Sequence, residues 1–126
     1  MLVRGPVLAL MVGAAALTPA LASAAAGGTV APSAAQRAAI IKAFGDPPAA
    51  SRCLTVRLAA SNHSYATVRS PHQSNCLQWA FNGVNVIHRS TQGRWRIAFE
   101  GSSYRCPVAH IPASVQRDLG VCPYGT

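Results

Sequence analysis

The sequence predicts a small exported α+β domain, with an N-terminal helix packed on a four-stranded antiparallel sheet, a short C-terminal helix and two disulfides. Three observations lead there. Residues 1–24 have the layout of an export signal. The hydrophobic period then changes from 3.6 over residues 34–44 to 2 over residues 53–99. All four cysteines, an even number, lie beyond the signal segment. A chain of 126 residues holds one domain and has no room for a doubly wound nucleotide-binding fold.

The leader is read first, because it does not belong to the fold. Arg4 supplies a positive start, Val7 to Leu17 an apolar stretch, and Thr18-Pro19 a break. Ala22-Ser23-Ala24 then offers the small-x-small pattern of a signal-peptidase site, which places cleavage after Ala24 or Ala26. The apolar run is too short to cross roughly 30 Å of hydrocarbon, and no later segment approaches a membrane span. Cleavage after Ala24 would leave 102 of the 126 residues and, with Arg4 gone, lower the formal net charge from +8 to +7. The expected organisation is a signal peptide at 1–24, a Gly/Ala/Pro flexible linker at 25–32 and a single domain at 33–126, secreted to the extracellular side.

The domain opens with a helix over Ala34–Phe44. Ser33 and Gln36 form a capping box in which each side chain meets an otherwise unpaired backbone N–H. Ala38 and Ile41, with Ile40 and Phe44, draw an apolar stripe. Gly45 suits a left-handed cap, and Pro47-Pro48 forbids continuation. Alternation then marks strands at Leu54-Val56-Leu58, Ala66-Val68, Val84-Val86 and Trp95-Ile97-Phe99. The polar tetrad Ser61-Asn62-His63-Ser64 is the expected first hairpin connection, and Thr91-Gln92-Gly93 the second. Two hairpins with one apolar face each should form a four-stranded sheet, with the helix covering that face. Residues 101–110 are irregular, and Pro112 can open a short helix ending before Gly120.

Cys53, Cys76, Cys106 and Cys122, behind an export signal, read as two structural disulfides formed in an oxidising compartment. Three pairings are possible. Sequence proximity and the hairpin layout favour Cys53–Cys76 and Cys106–Cys122. No pair has CxxC spacing, which argues against a redox site or zinc knuckle.

The order of helix, Pro-Pro and two hairpins resembles the cystatin-like or NTF2-like α+β group in outline. The stretches Val84 to Arg89, Gly93-Arg94-Trp95-Arg96, Tyr104-Arg105-Cys106-Pro107 and Val115 to Cys122 resemble small exported proteins of GC-rich Gram-positive bacteria. That resemblance implies an exported α+β domain and no catalytic residue.

Charge is the strongest functional signal, with 11 Lys+Arg against 3 Asp+Glu. Lys42 is the single lysine, a bias that a GC-rich genome also produces. If Leu54, Val56, Val68, Trp95 and Ile97 face the core, then Arg57, Arg69, Arg94 and Arg96 emerge on the opposite face, with Arg89 able to join them at a strand end. Guanidinium groups so placed attract polyanions by counterion release and grip phosphate through two N–H groups. Tyr65 would add a stacking surface. The plain alternative is an Arg-rich solvated face without a partner.

Two rival readings use other residues. A secreted ribonuclease-like hydrolase would need Glu100 and His88 on neighbouring strands, moving protons beside Arg96. A disulfide-stapled protein-binding or inhibitor module would use the Ser70–Cys76 loop. Trp79 is assigned to the core, unless exposure beside that loop makes it a binding platform. His63, His72, His88 and His110 lack metal-ligand spacing, so neither a metal nor another cofactor is expected. No G-x-S-x-G elbow occurs. Asp46 reads as turn chemistry before Pro47. Asp118 lies unfavourably late in a short helix, with Arg117 and Arg105 as its candidate partners. Asn62-His63-Ser64 matches a glycosylation sequon, a pattern common by chance. The favoured expectation is a non-catalytic binding protein that contacts an anionic envelope polymer or a protein through its basic sheet face.

Overall fold

The structure is a computed structural model that describes residues 13, 28–71 and 75–122. The leader apart from Gly13, both cleavage positions and His72 lie outside the described residues. Within them the chain forms a five-stranded antiparallel meander with a helical segment on each side.

The first strand, β1 (Thr29–Val30), comes from the stretch expected as a linker and makes the sheet five-stranded instead of four. It pairs with β2 (Thr55–Ala59) through Thr29 opposite Ala59 and Val30 opposite Leu58. A two-residue strand has no readable period. Distant groups hold it. Arg57 donates from Nε to the Thr29 hydroxyl at 3.0 Å and from its terminal nitrogen to the Thr29 carbonyl at 3.0 Å.

Helix α1 (Ala34–Phe44) starts at a complete capping box. The Gln36 N–H donates to Ser33 Oγ at 3.1 Å, and the Ser33 N–H donates to Gln36 Oε1 at 2.8 Å. It stops at Gly45, whose φ of 93° lets its N–H reach the Ile41 and Lys42 carbonyls. Only Ile40 and Ile41 are buried along α1. Phe44 is half-buried and Ala38 is exposed, so the apolar contact is narrower than the expected stripe. A 3-10 turn over Pro48–Cys53 follows, and Arg37 fastens it by donating to the Ser51 and Leu54 carbonyls.

Strand β3 (Asn62–Arg69) begins earlier than the polar tetrad suggests. The turn is Ala60-Ser61, and Asn62, His63 and Ser64 already belong to the strand. Strands β4 (Val84–Arg89) and β5 (Trp95–Gly101) form the second hairpin. Its turn is closed by Ser90 N–H to the Arg94 carbonyl at 2.8 Å, with Gly93 at φ 83°. Strands β3 and β4 are joined by residues 70–83, within which Leu77–Trp79 makes one 3-10 turn.

The β3–β4 ladder has only two paired positions, Tyr65 with His88 and Ala66 with Ile87. Beyond them the side chain of Asn85 takes over. It is 2% exposed, its Oδ1 accepts from the Val68 N–H at 2.8 Å, and its Nδ2 donates to the Val68 carbonyl at 2.8 Å. The carboxamide does the work of a peptide unit and keeps two buried backbone groups paired.

Alternation sends Val56, Leu58, Ala66, Val68 and Ile87 to one face, where Ile40 and Ile41 of α1 join them. The other face carries Tyr65 and Val86, packed under Ile111, Val115, Leu119 and Val121. These last come from the C-terminal segment and helix α2 (Ala113–Asp118). The face expected to be open is therefore partly roofed. Buried Gln116 organises the roof by bonding both backbone groups of Val108 and the carbonyl of Ile111 at 2.7–2.9 Å. Disulfides Cys53–Cys76 and Cys106–Cys122 staple the two sides, with Cα atoms 5.5 and 5.8 Å apart. No helix among the described residues is long and apolar enough to cross a membrane.

Candidate anion-binding surface

Strand alternation puts Arg57, Arg69 and Arg96 on the face opposite α1, together with Tyr65 and His88, while Arg94 lies in the hairpin turn one residue before β5. They do not form one patch. Arg57 is spent on Thr29. Arg69 donates to the Leu119 carbonyl at 3.0 Å and so ties the roof to the sheet. Both are framework cations, because a guanidinium can satisfy the loose carbonyls of a short strand or a helix end. Arg94 and Arg96 are exposed, and neither side chain makes a hydrogen bond among the described residues.

Arg96 stands opposite His88, and His88 opposite Tyr65, in one row across three strands. The Tyr65 and His88 rings stack at 4.2 Å with 17° between their planes. Tyr65 is only 9% exposed, so its ring is already covered and offers no stacking platform for a ligand. Beside this row, at the turn end of the sheet, lies a cleft of about 430 Å³ lined by Asn62, Tyr65, His88, Arg89, Ser90 and Thr91 among others. Arg89 lines the cleft at the strand end, while its guanidinium sits 5.8 Å from the Trp95 ring centre. The exposed and unspent cations of the sheet thus gather around the β4–β5 hairpin.

Glu100 and His88 are not brought together. Glu100 pairs with Asn85 and His88 with Arg96, three residues apart along β4. Positions 85 and 88 differ by an odd number, so they face opposite sides of the sheet. Glu100 instead shares a second cleft of about 510 Å³ with Asp46, Phe44, Trp79 and Phe81. Trp79 is half-buried, and its indole N–H is enclosed without a hydrogen-bond partner among the described residues. The exposed apolar residue next to the Cys76 staple is Leu77, at 59%.

His63 and His110 are exposed, and no group of three metal-ligating side chains occurs among the described residues. Asp118 pairs differently from expectation. It is 7% exposed and accepts the Gly28 N–H at 3.0 Å and the Ser61 N–H at 2.8 Å. Burial pushes its carboxyl up, but the Ser61 hydroxyl and N–H, the Gly28 N–H and the charge of Arg117 together hold it below its ordinary value. The two N–H groups it serves are 90 and 57 residues away in sequence, so no local signal marks it. Asn85 was equally hidden, since one Asn inside a strand pattern looks like an ordinary polar position.

Comparison with protein-family models, with curated proteins and with solved structures returns no match.

Proposed function

We propose that this is a non-catalytic binding protein, working outside the cytoplasm, that contacts an anionic partner through Arg94 and Arg96 at the β4–β5 end of its sheet. The observation that carries the reading is the division among the arginines. Arg37, Arg57 and Arg69 are consumed by carbonyls and hydroxyls of the fold, whereas Arg94 and Arg96 are exposed beside a polar cleft and spend nothing internally. The leader pattern and the two disulfides support export. The separation of His88 from Glu100 by the sheet counts against the ribonuclease-like alternative.

Retention of the oxidised protein on an immobilised polyanion, measured across a salt series, tests the proposal. Arg94→Ala with Arg96→Ala should flatten the dependence of log affinity on log salt by roughly one for each lost contact. Arg52→Ala with Arg105→Ala removes the same charge from exposed positions elsewhere and should change it less. Equal losses in the two pairs would mean that net charge alone acts. A second reading, a protein-binding module built on the Cys76 loop, is favoured by exposed Leu77. It predicts salt-insensitive binding that Leu77→Ser removes.

A further inference from the structure

Strand β5 is the outermost strand on its side of the meander. Among the described residues, no backbone hydrogen bond reaches its outer side. The opposite edge, β1, is only two residues long. Sheet edges with free N–H and C=O groups are templates for another strand unless something blunts them. On β5 the side chains flanking the edge are sorted by face. Arg96 lies on one face, with Arg94 just before the strand, while Trp95 and Ile97 lie on the other. Ile97 is 40% exposed, one of two large apolar residues in that state among the described residues. After Ile97 the pairing shifts, since Ile87 faces Ile97 and Val86 faces Phe99, which leaves Ala98 as an unmatched bulge residue.

We propose that the open edge of β5 over Trp95–Ile97, flanked by Arg94 of the preceding turn, docks an extended segment of a partner protein, one that alternates acidic and apolar residues and adds as a sixth strand. This deepens the preceding reading and rests on it, since it uses the same two arginines. A strand laid about 4.8 Å from β5 sends alternate side chains to opposite faces. One set then meets the two guanidinium groups, and the other meets Ile97 and the half-buried Trp95. Main-chain bonds supply affinity, and the alternation supplies selectivity. A uniformly charged polymer would leave Ile97 uncovered and the edge unpaired. The segment is short, because the bulge at Ala98 interrupts the regular edge. The arginines also select by repulsion, disfavouring basic strands while receiving acidic ones.

The experiment measures binding of the oxidised protein to a fluorescent end-blocked octapeptide of alternating Glu and Val. It is compared with a block peptide of the same composition, two versions N-methylated on one or the other alternate set of amides, and a sulfated polysaccharide. The alternating peptide should bind roughly tenfold or more tighter than the block peptide and than the weaker N-methylated version, the scale of one or two backbone hydrogen bonds. Arg94→Ala with Arg96→Ala should weaken it, and amide-exchange protection should rise on β5. Equal binding by all four peptides overturns the inference while leaving the anionic-surface reading in place. Polysaccharide binding with no peptide binding does the same. Absence of binding by every probe defeats both. Self-association of the protein that blocks the peptide would overturn the inference in favour of a second copy at this edge.

Discussion

Asp118→Asn exchanges one carboxylate oxygen for an NH2 group where β1, the β2–β3 turn and α2 meet. In the native protein that carboxylate accepts from Gly28 at 3.0 Å and from Ser61 at 2.8 Å while 7% exposed. An amide keeps one acceptor oxygen and turns a donor toward the other N–H. One charge-assisted bond disappears, at about 1.5–3 kcal/mol, and the survivor weakens to a neutral bond, at about 1 kcal/mol. The expected loss is about 2–4 kcal/mol. In a domain of this size that lowers Tm by roughly 10–25 °C. Denaturant unfolding with the disulfides intact measures the first figure, and amide exchange locates it, with Gly28 and Ser61 losing protection first. Acid supplies an independent check. The native carboxyl titrates below its ordinary 3.8, so its stabilisation is complete well above that pH and is lost as pH falls through the lowered native value. The wild-type protein should therefore lose stability in this window, and the variant should lose less. A variant within about 0.5 kcal/mol of wild type, with unchanged exchange at Gly28 and Ser61, would refute the clamp.

Further outcomes follow from the same structure. Asn85→Ala strands the buried N–H and carbonyl of Val68 and should cost about 2–4 kcal/mol in denaturant unfolding, with β3–β4 amides exchanging faster. Replacing Cys106 and Cys122 by Ser opens a link spanning 16 residues and should lower stability by about 2–4 kcal/mol, while β1 to β3 stay assembled by circular dichroism and exchange. Fluorescent RNA incubated with the oxidised protein should stay intact, and Glu100→Gln should change neither its integrity nor its retention. Cleavage abolished by that substitution would restore the ribonuclease-like reading.

How much of this was legible in advance depends on the range of the interaction. Helix α1 was readable because Ser33, Gln36, Gly45 and Pro47 act on neighbours within a turn or two. The strands were readable because apolar residues recur at every second position along them, the period of a strand. Closeness along the chain favoured, among three possible pairings, the one the structure has. The candidate site was half legible. Alternation assigned Arg57, Arg69, Arg94 and Arg96 to one face, but it carried no information about what lies above that face. Leu119 claims Arg69, and Thr29 claims Arg57, only after chain segments 50 and 28 residues distant arrive.

By itself, the sequence determined the local grammar of this protein: one capped helix, two hairpins, an even set of four cysteines and a strong excess of arginine. Tertiary structure alone decided the fifth strand, the roof of residues 108–122 over the second face, and the burial of Asp118 and Asn85. The reason is physical. A cap or an alternation is paid out within a few residues, whereas a buried carboxylate or carboxamide is stable only once donors from distant segments converge on it. The division between structural and free arginines is of the second kind, and on it the proposed function rests.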